Sequence, residues 1–401
     1  MNIFKKCYCR IFQTVFKLAL PLLPYREPKI LKSESDVSSV LKKQNIETVL
    51  LVTGKTISSL ELHKPLQTCL EKNNIKVVIY NETVPNPTTK NVADAEKLYI
   101  ENNCQGIIAF GGGSPIDTAK AVGARIAHPN KSLNKMKGIL KVTKKLPLLI
   151  AVPTTAGTGS ETTLAAVITD SESRHKYAIS SFPLIPRYAL LDAKLTVGLP
   201  PHITSTTGMD ALTHAVEAFI GRSTTRGTRK AALTATKLIF ENLLDAYNNG
   251  KNLIARENML IASYKAGVAF TKSYVGYVHA ISHSLGGKYN LAHGLANAII
   301  LPYVLRAYGK TIHKKLWKLG VFAGLFNKET SYEEGAKIFI EKIEELNKKM
   351  NIPCVIPEIK EEDIKDLAKT AEHEANPLYP VPVLFTKAEL EKLYISIKSG
   401  K

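Results

Sequence analysis

"GIIAFGGGSPIDTAKAVGARIA", residues 106 to 127, decides the fold. An apolar, β-branched run ends in Gly111-Gly112-Gly113-Ser114, and helical spacing follows. That order reads as strand, tight turn, helix. Glycines let a backbone approach a ligand closely. The helix N-terminus adds free N–H groups and a positive dipole end, which suits a diphosphate. Gly111, Gly112, Gly113 and Ser114 are therefore candidates to contact such a group, and Pro115 fits the first helical turn. Asp117 is placed to cap the helix or to accept from a ligand hydroxyl. Such a turn also serves as a plain β–α connection, and it is not the G-x-G-x-x-G dinucleotide fingerprint.

Working outward, further apolar runs at 47–54, 76–81, 146–155, 165–170 and 188–193 read as strands, with helical spacing at 88–103 and 115–127. Nearly continuous hydrophobic strands alternating with helices predict a parallel sheet covered on both faces. A second loop, "VPTTAGTGSE" (152–161), again follows a strand and carries Thr154, Thr155, Thr158 and Ser160. Two such loops converge at the carboxyl edge of one sheet, where α/β folds bind ligands. Beyond the prolines at 200 and 201 the pattern is helical throughout, at 202–220, 226–247, 253–272, 294–308, 331–350, 361–374 and 387–398. The pattern gives an α/β domain, residues 41–199, followed by an all-helical domain, residues 200–401. Residues 1–40 form an extension.

A chain of 401 residues is long enough for two domains. The net charge of +19 raises nucleic acid as a partner. The lysines are dispersed and no nucleic-acid motif accompanies them, so none is expected. Five cysteines without a disulfide framework fit a reducing, cytoplasmic compartment. Residues 1–25 carry an apolar helical stripe opposite Lys5, Lys6, Arg10, Gln13 and Lys17. The stripe is too interrupted to span a bilayer and has no cleavage site of a secretory signal. Packing on the protein's own surface or across a subunit interface is the preferred expectation. Peripheral contact with an anionic membrane is the other.

The chain has ten histidines, and three of them fall in "YVHAISHSLGGKYNLAHG" (277–294). Asp210 and His214 stand at i and i+4 on one predicted helix, so both can reach one ion. His279 lies on a later helix, and His293 follows an expected bend at Gly286-Gly287. One carboxylate and three imidazoles suit Fe²⁺ or Zn²⁺. His283 is i+4 from His279, and spacing alone makes it an equal ligand.

With these motifs in place, the chain resembles the iron-containing (group III) alcohol dehydrogenases from about residue 45 onward. The resemblance rests on "VPNPTT" (84–89), "GGGSPIDTAKA" (111–121), "PTTAGTGSE" (153–161), "TGMDALTHAVEAF" (207–219) and "HAISHSLGGKYNLAHGLANAIILP" (279–302). It implies metal ligands Asp210, His214, His279 and His293, and it gives His283 a catalytic place as proton relay. It implies coenzyme contacts at Asn86, Gly112, Gly113, Ser114, Asp117, Thr154, Thr155, Thr158, Val167 and Lys176. It also implies a Rossmann-like dinucleotide-binding α/β domain followed by an all-helical metal-binding domain, a dehydroquinate synthase-like architecture with the cleft between the two. Many NAD-using members carry an Asp where this chain has Gly54, which removes a carboxylate that would repel a 2′-phosphate. Lys55, Thr53 and Thr56 would welcome that phosphate, so NADP is the favoured coenzyme over NAD. Lys272 and Tyr274 stand where many members have an Asn and a small residue, which bears on substrate size.

The resulting expectation is a metal-dependent NAD(P)-linked dehydrogenase that interconverts a small primary alcohol and its aldehyde, with Fe²⁺ ahead of Zn²⁺, working as a homo-oligomer such as a dimer. A dehydroquinate-synthase-like lyase is the rival reading; it needs several basic groups for a substrate phosphate. A membrane-attached, non-catalytic relative is the third, and the complete ligand set speaks against it.

Overall fold

Val49 and Leu51 turn to one face of their strand, Leu50 and Val52 to the other, and all four are fully buried. Successive strand residues point to opposite faces, so a sheet built from such runs must be covered twice. In the computed structural model, which describes residues 3–173 and 175–400, it is. Nine strands are present among the described residues: β1 (Lys29–Leu31), β2 (Thr48–Gly54), β3 (Lys76–Thr83), β4 (Gly106–Gly111), β5 (Gly138–Ile139), β6 (Leu148–Pro153), β7 (Ala165–Thr169), β8 (Lys176–Ser180) and β9 (Tyr188–Leu190). Six form a wholly parallel sheet in the order β1-β9-β6-β4-β2-β3. Helices Thr89–Glu101 and Gly113–Ala127 cover one face through Val92, Ala95, Ile116 and Ala119. Helices Glu34–Lys42 and Lys64–Glu71 cover the other through Val37, Leu41, Leu66 and Leu70.

Two sequence expectations change here. The strand at 165–170 is not part of the main sheet. Its β7 pairs antiparallel with β8, register Ala165↔Ser180 to Thr169↔Lys176, in a separate sheet completed by β5. An apolar run of five residues cannot declare which sheet it joins. The second change concerns the 1–40 extension and the 41–199 boundary. The α/β unit is Pro24–Gly198. β1 extends the main sheet beside β9, and Ser33 and Asp36 form a capping box that starts helix Glu34–Lys42. A three-residue strand is too short to show alternation.

The other unit comprises the chain up to Leu23 and from Leu199 onward. Its central helix is Pro201–Ile220, in which every residue from Gly208 to Ile220 is buried. Around it lie helices Arg226–Asn248, Leu253–Ser273, Tyr277–Tyr289, His293–Tyr308, His313–Phe322, Tyr332–Lys349, Ile364–Ala375 and Lys387–Ser399. Helix His313–Phe322 is absent from the sequence reading. The expected bend at Gly286-Gly287 is also corrected: the helix runs through both glycines and turns at Asn290, in the left-handed conformation. Asn tolerates that region through its short polar side chain.

The helix Ile3–Ala19 packs on this second unit. Arg10 donates to the carbonyls of Val381 and Pro382 at 2.7 and 2.9 Å, and Gln13 to that of Tyr379 at 2.7 Å. Cys9 and Gln13 are buried, and the Phe16 ring meets Tyr274 edge-on at 5.2 Å. No helix among the described residues is long and apolar enough to cross a membrane.

Lys120 is a buried cation of the α/β unit with all three of its donors engaged. It is fully buried, and its ammonium donates to Ser160 Oγ (3.0 Å), Thr163 Oγ1 (2.7 Å) and the Ala165 carbonyl (2.8 Å). Asp117 lies 3.9 Å away. Burial pulls the ammonium down to about 8 against the opposing pull of Asp117 and Glu161. Removing one member of a buried pair leaves the other uncompensated, at about 3–5 kcal/mol. Lys120→Ala should therefore lower unfolding stability by about that amount, read as a reduced denaturant midpoint, and loosen the loop at 154–163 to proteolysis.

Candidate functional site

The central helix places Asp210, His214 and Glu217 at i, i+4 and i+7, on one buried face. Helix Tyr277–Tyr289 contributes His279, and helix His293–Tyr308 contributes His293 and Asn297. One donor atom each from Asp210, His214, His279 and His293 lies within 4.8 Å of all the others. Measured from Asp210 Oδ1, the separations are 4.0 Å to His214, 3.9 Å to His279 and 3.5 Å to His293. Ligands about 2.1 Å from a tetrahedral ion stand about 3.4 Å apart, so the set needs only a slight contraction. Close approach of the helices matters here. A Cβ on Gly294 would sit 2.4 Å from the Thr206 carbonyl oxygen, so only glycine lets His293 reach Asp210.

The surroundings fit a cation. Asn297 Nδ2 lies 2.7 Å from Asp210 Oδ1, 3.0 Å from His293 Nε2 and 3.3 Å from His279 Nε2. Its two hydrogens cannot serve three acceptors, and its own buried Oδ1 has no hydrogen-bond partner. The cluster thus has more lone pairs than positive groups, which suits a divalent ion. Phe270 stacks on His214 at 4.0 Å and closes that side.

Two further carboxylates separate the two histidines that spacing could not. Glu217 is buried and accepts from the N–H groups of Gly276 and Val278, each at 2.8 Å, while His279 Nδ1 lies 2.6 Å away. Burial pushes the Glu217 carboxyl up to about 8, and burial with its neighbouring imidazoles holds His279 well below the usual histidine range. With Nδ1 turned to Glu217, Nε2 faces the cluster as the basic nitrogen. His283 stands outside the four-donor set. Its side chain is 45% exposed, stacks on His293 at 5.1 Å, and meets Glu374 Oε1 at 2.6 Å through Nδ1. Tyr379 donates to the same oxygen at 2.7 Å. Burial raises the Glu374 carboxyl, but His283 and the Tyr379 hydroxyl outweigh it and leave a net depression. Glu217 and Asn297 were legible as i+7 from Asp210 and i+4 from His293. Glu374 and Tyr379 had no local signal.

In the α/β unit, the candidate coenzyme residues gather at the carboxyl ends of β2, β4 and β6 and around β7 and β8. Gly111 has φ of 146°, open to glycine alone, and turns the chain from β4 into helix Gly113–Ala127. A Cβ on Gly112 would lie 3.3 Å from Thr155 Oγ1, and one on Gly113 3.2 Å from Thr158 Cγ2, so the two loops touch. Ser114 is half-buried beside them, while Thr154 is buried and donates its N–H to the Gly111 carbonyl at 3.1 Å. Asp117 accepts from Ser160 Oγ at 2.7 Å and from the Val167 N–H at 3.0 Å, so it braces the loops with both oxygens. Lys176 donates to Asn86 Oδ1 at 2.8 Å, which pairs two more of the candidates. Gly54 ends β2, and next to it Lys55 is paired with Glu82 at 2.8 Å. Thr53 is fully buried.

Comparison with known proteins agrees across both units. Residues 31–193 match iron-containing alcohol dehydrogenase, and residues 204–397 match the Fe-containing alcohol dehydrogenase family, C-terminal. Alcohol dehydrogenase 4 of Saccharomyces cerevisiae is 37% identical over 357 residues, 88% of this chain and 92% of that protein. The NAD-dependent methanol dehydrogenase of Bacillus methanolicus is 36% identical over 340 residues, 84% and 88% of the two chains. The crystal structure of a 1,3-propanediol oxidoreductase superposes with a TM-score of 0.88 at 34% identity, covering 93% of this chain and 98% of the other.

The Glu217–His279 bond gives a direct test of the donor cluster. Glu217→Gln should weaken Fe²⁺ or Zn²⁺ affinity by about 10–100-fold, measured by competition with a chelator, with unchanged far-ultraviolet circular dichroism.

Proposed function

This chain belongs to the iron-containing alcohol dehydrogenase family, and we propose that it interconverts a small primary alcohol and its aldehyde with a nicotinamide coenzyme. The observation that carries the reading is the convergence of Asp210, His214, His279 and His293 beside the His283–Glu374 pair. A divalent cation held by the four donors supplies Lewis-acid polarisation of the alcohol oxygen, and the nicotinamide supplies or accepts the hydride.

The chain's own part is to hold the donors and move the proton. Glu217 keeps His279 turned with Nε2 inward. Glu374 accepts from His283 Nδ1, which leaves His283 Nε2 as the nitrogen that takes or gives a proton. The partial exposure of His283 gives that proton a way to solvent. Tyr274 and Tyr379, whose rings stand 6.4 Å apart, add aromatic bulk next to Glu374 and favour short substrates. Iron is the ion the family points to; reconstitution with Zn²⁺ is the comparison to make.

Coenzyme choice turns on the end of β2. Gly54 offers no carboxylate to repel a 2′-phosphate, which supports use of NADP. Of the groups expected to welcome that phosphate, Thr53 is buried and Lys55 is held by Glu82, so Thr56 is left. Both coenzymes are accepted on this reading, and Glu82 limits the gain for NADP.

An aldehyde panel with NADH and NADPH, on protein reconstituted with Fe²⁺ or Zn²⁺, tests the activity; no turnover with any aldehyde would overturn it. His283→Ala should keep its metal and lose about a hundredfold or more in kcat, whereas His279→Ala should lose the metal itself. Glu82→Gln should raise kcat/KM for NADPH relative to NADH. Absolute preference for NADH in both the parent and the variant would refute the coenzyme reading.

A further inference from the structure

The helix Ile3–Ala19 is amphipathic, but its apolar face is the one that stays outside. Cys9, Gln13, Phe16 and Leu20 face the protein, held by the bonds of Arg10 and Gln13 to the 379–382 carbonyls. At 100° per residue, Phe4, Tyr8, Ile11, Val15 and Leu18 fall within about 40° of one line on the opposite side. They are 81%, 58%, 64%, 61% and 71% exposed, and Leu22 continues the line at 86%. Eight of the nineteen large exposed apolar side chains among the described residues lie between Ile3 and Leu22. Scattered exposed apolar residues are normal, whereas a contiguous stripe marks an interaction surface.

The charges around it select the partner. The helix holds Lys5, Lys6, Arg10 and Lys17 and no acidic residue. By the same count Lys5 lies about 100° from the centre of the stripe, whereas Lys6, Arg10 and Lys17 lie toward the protein-facing side; a long side chain beside the stripe can keep its charge in water while its stem lies along an apolar layer. Lys5 pairs with Glu372 at 3.1 Å, and Lys6 acts on Glu389, but the far end of the helix carries an excess. Burial brings the Lys315 ammonium down to about 8, and the positive charges of Arg222, Lys17 and Arg229 nearby push the same way. An anionic surface is attracted to them.

We propose that this helix docks the folded protein onto an anionic lipid membrane, lying in the plane of the surface with Phe4, Tyr8, Ile11, Val15 and Leu18 in the acyl boundary. The helix is already formed and fixed, so docking does not depend on ordering it. Lys17, with its basic neighbours Arg222 and Arg229, supplies the attraction to the headgroups, and the interaction weakens with salt.

The test is flotation of the full, metal-loaded chain with vesicles of phosphatidylcholine, with and without phosphatidylglycerol. The protein should float with the anionic vesicles and not with phosphatidylcholine alone, and raising the salt should reduce the bound fraction. Ile11→Asp combined with Val15→Asp should reduce it about tenfold or more while alcohol turnover in solution is unchanged. Lys17→Glu with Arg229→Glu should weaken binding to the anionic vesicles only. Wild-type protein that fails to float at low salt would refute the proposal, as would an Ile11/Val15 variant that floats as well as the parent. If vesicles capture nothing and the same variant sediments as a smaller species, the face belongs to a second copy of this chain.

Discussion

A carboxylate in the middle of a helical core is the constraint around which the second unit is built. Asp210 sits on a helix buried along thirteen consecutive residues, Gly208 to Ile220, so its charge cannot be left to water. Ionised groups in such a place must be paired, hydrogen-bonded or bound to a metal. Three imidazoles cannot neutralise it while they remain neutral, and burial pushes His279 well below the usual histidine range. The Asn297 amide supplies hydrogen bonds but no charge. A cation is the group that satisfies all the lone pairs at once. The demand reaches into the packing, because Gly294 must lack a side chain for its helix to come close enough.

Two carboxylates outside the cluster assign different work to two histidines one helical turn apart. His279 and His283 share a helix face, and their rings lie 5.9 Å from each other. Glu217, fully buried and held by two backbone N–H groups, locks one imidazole with its far nitrogen inward. Glu374, partly exposed and tied to Tyr379, holds the other at the edge of the site, where protons can come and go. Exposure separates the two, because burial resists charging of an imidazole whereas an exposed ring can exchange protons with water.

The α/β unit works mostly through backbone. Gly111 supplies a turn that a side chain would forbid, and Gly112 and Gly113 lie against Thr155 and Thr158 so that two loops become one surface. Asp117 and Lys120 keep those loops in place from beneath. A rigid, glycine-lined edge at a helix N-terminus is suited to a phosphate chain, which is recognised by N–H groups more than by side-chain identity.

The sequence by itself determined the parallel sheet, the helical second half, both glycine-rich loops and the Asp210–His214 pair, because each is written in local terms; for the remaining donors it left His279 and His283 equal on spacing. Period-two burial, period-3.6 spacing, a turn that only glycine allows, and an i, i+4 pair can all be read within a few residues. The sequence also held Glu217 and Asn297 in plain spacing from known candidates. Tertiary structure alone decided the rest. It sent β7 to the small sheet, added β1 from residues assigned to the extension, and moved the bend from Gly286-Gly287 to Asn290. It separated His279 from His283 by bringing Glu374 from 91 residues away. Partners that meet across such distances leave no period in the chain, since their proximity comes from helix packing and not from their separation in sequence.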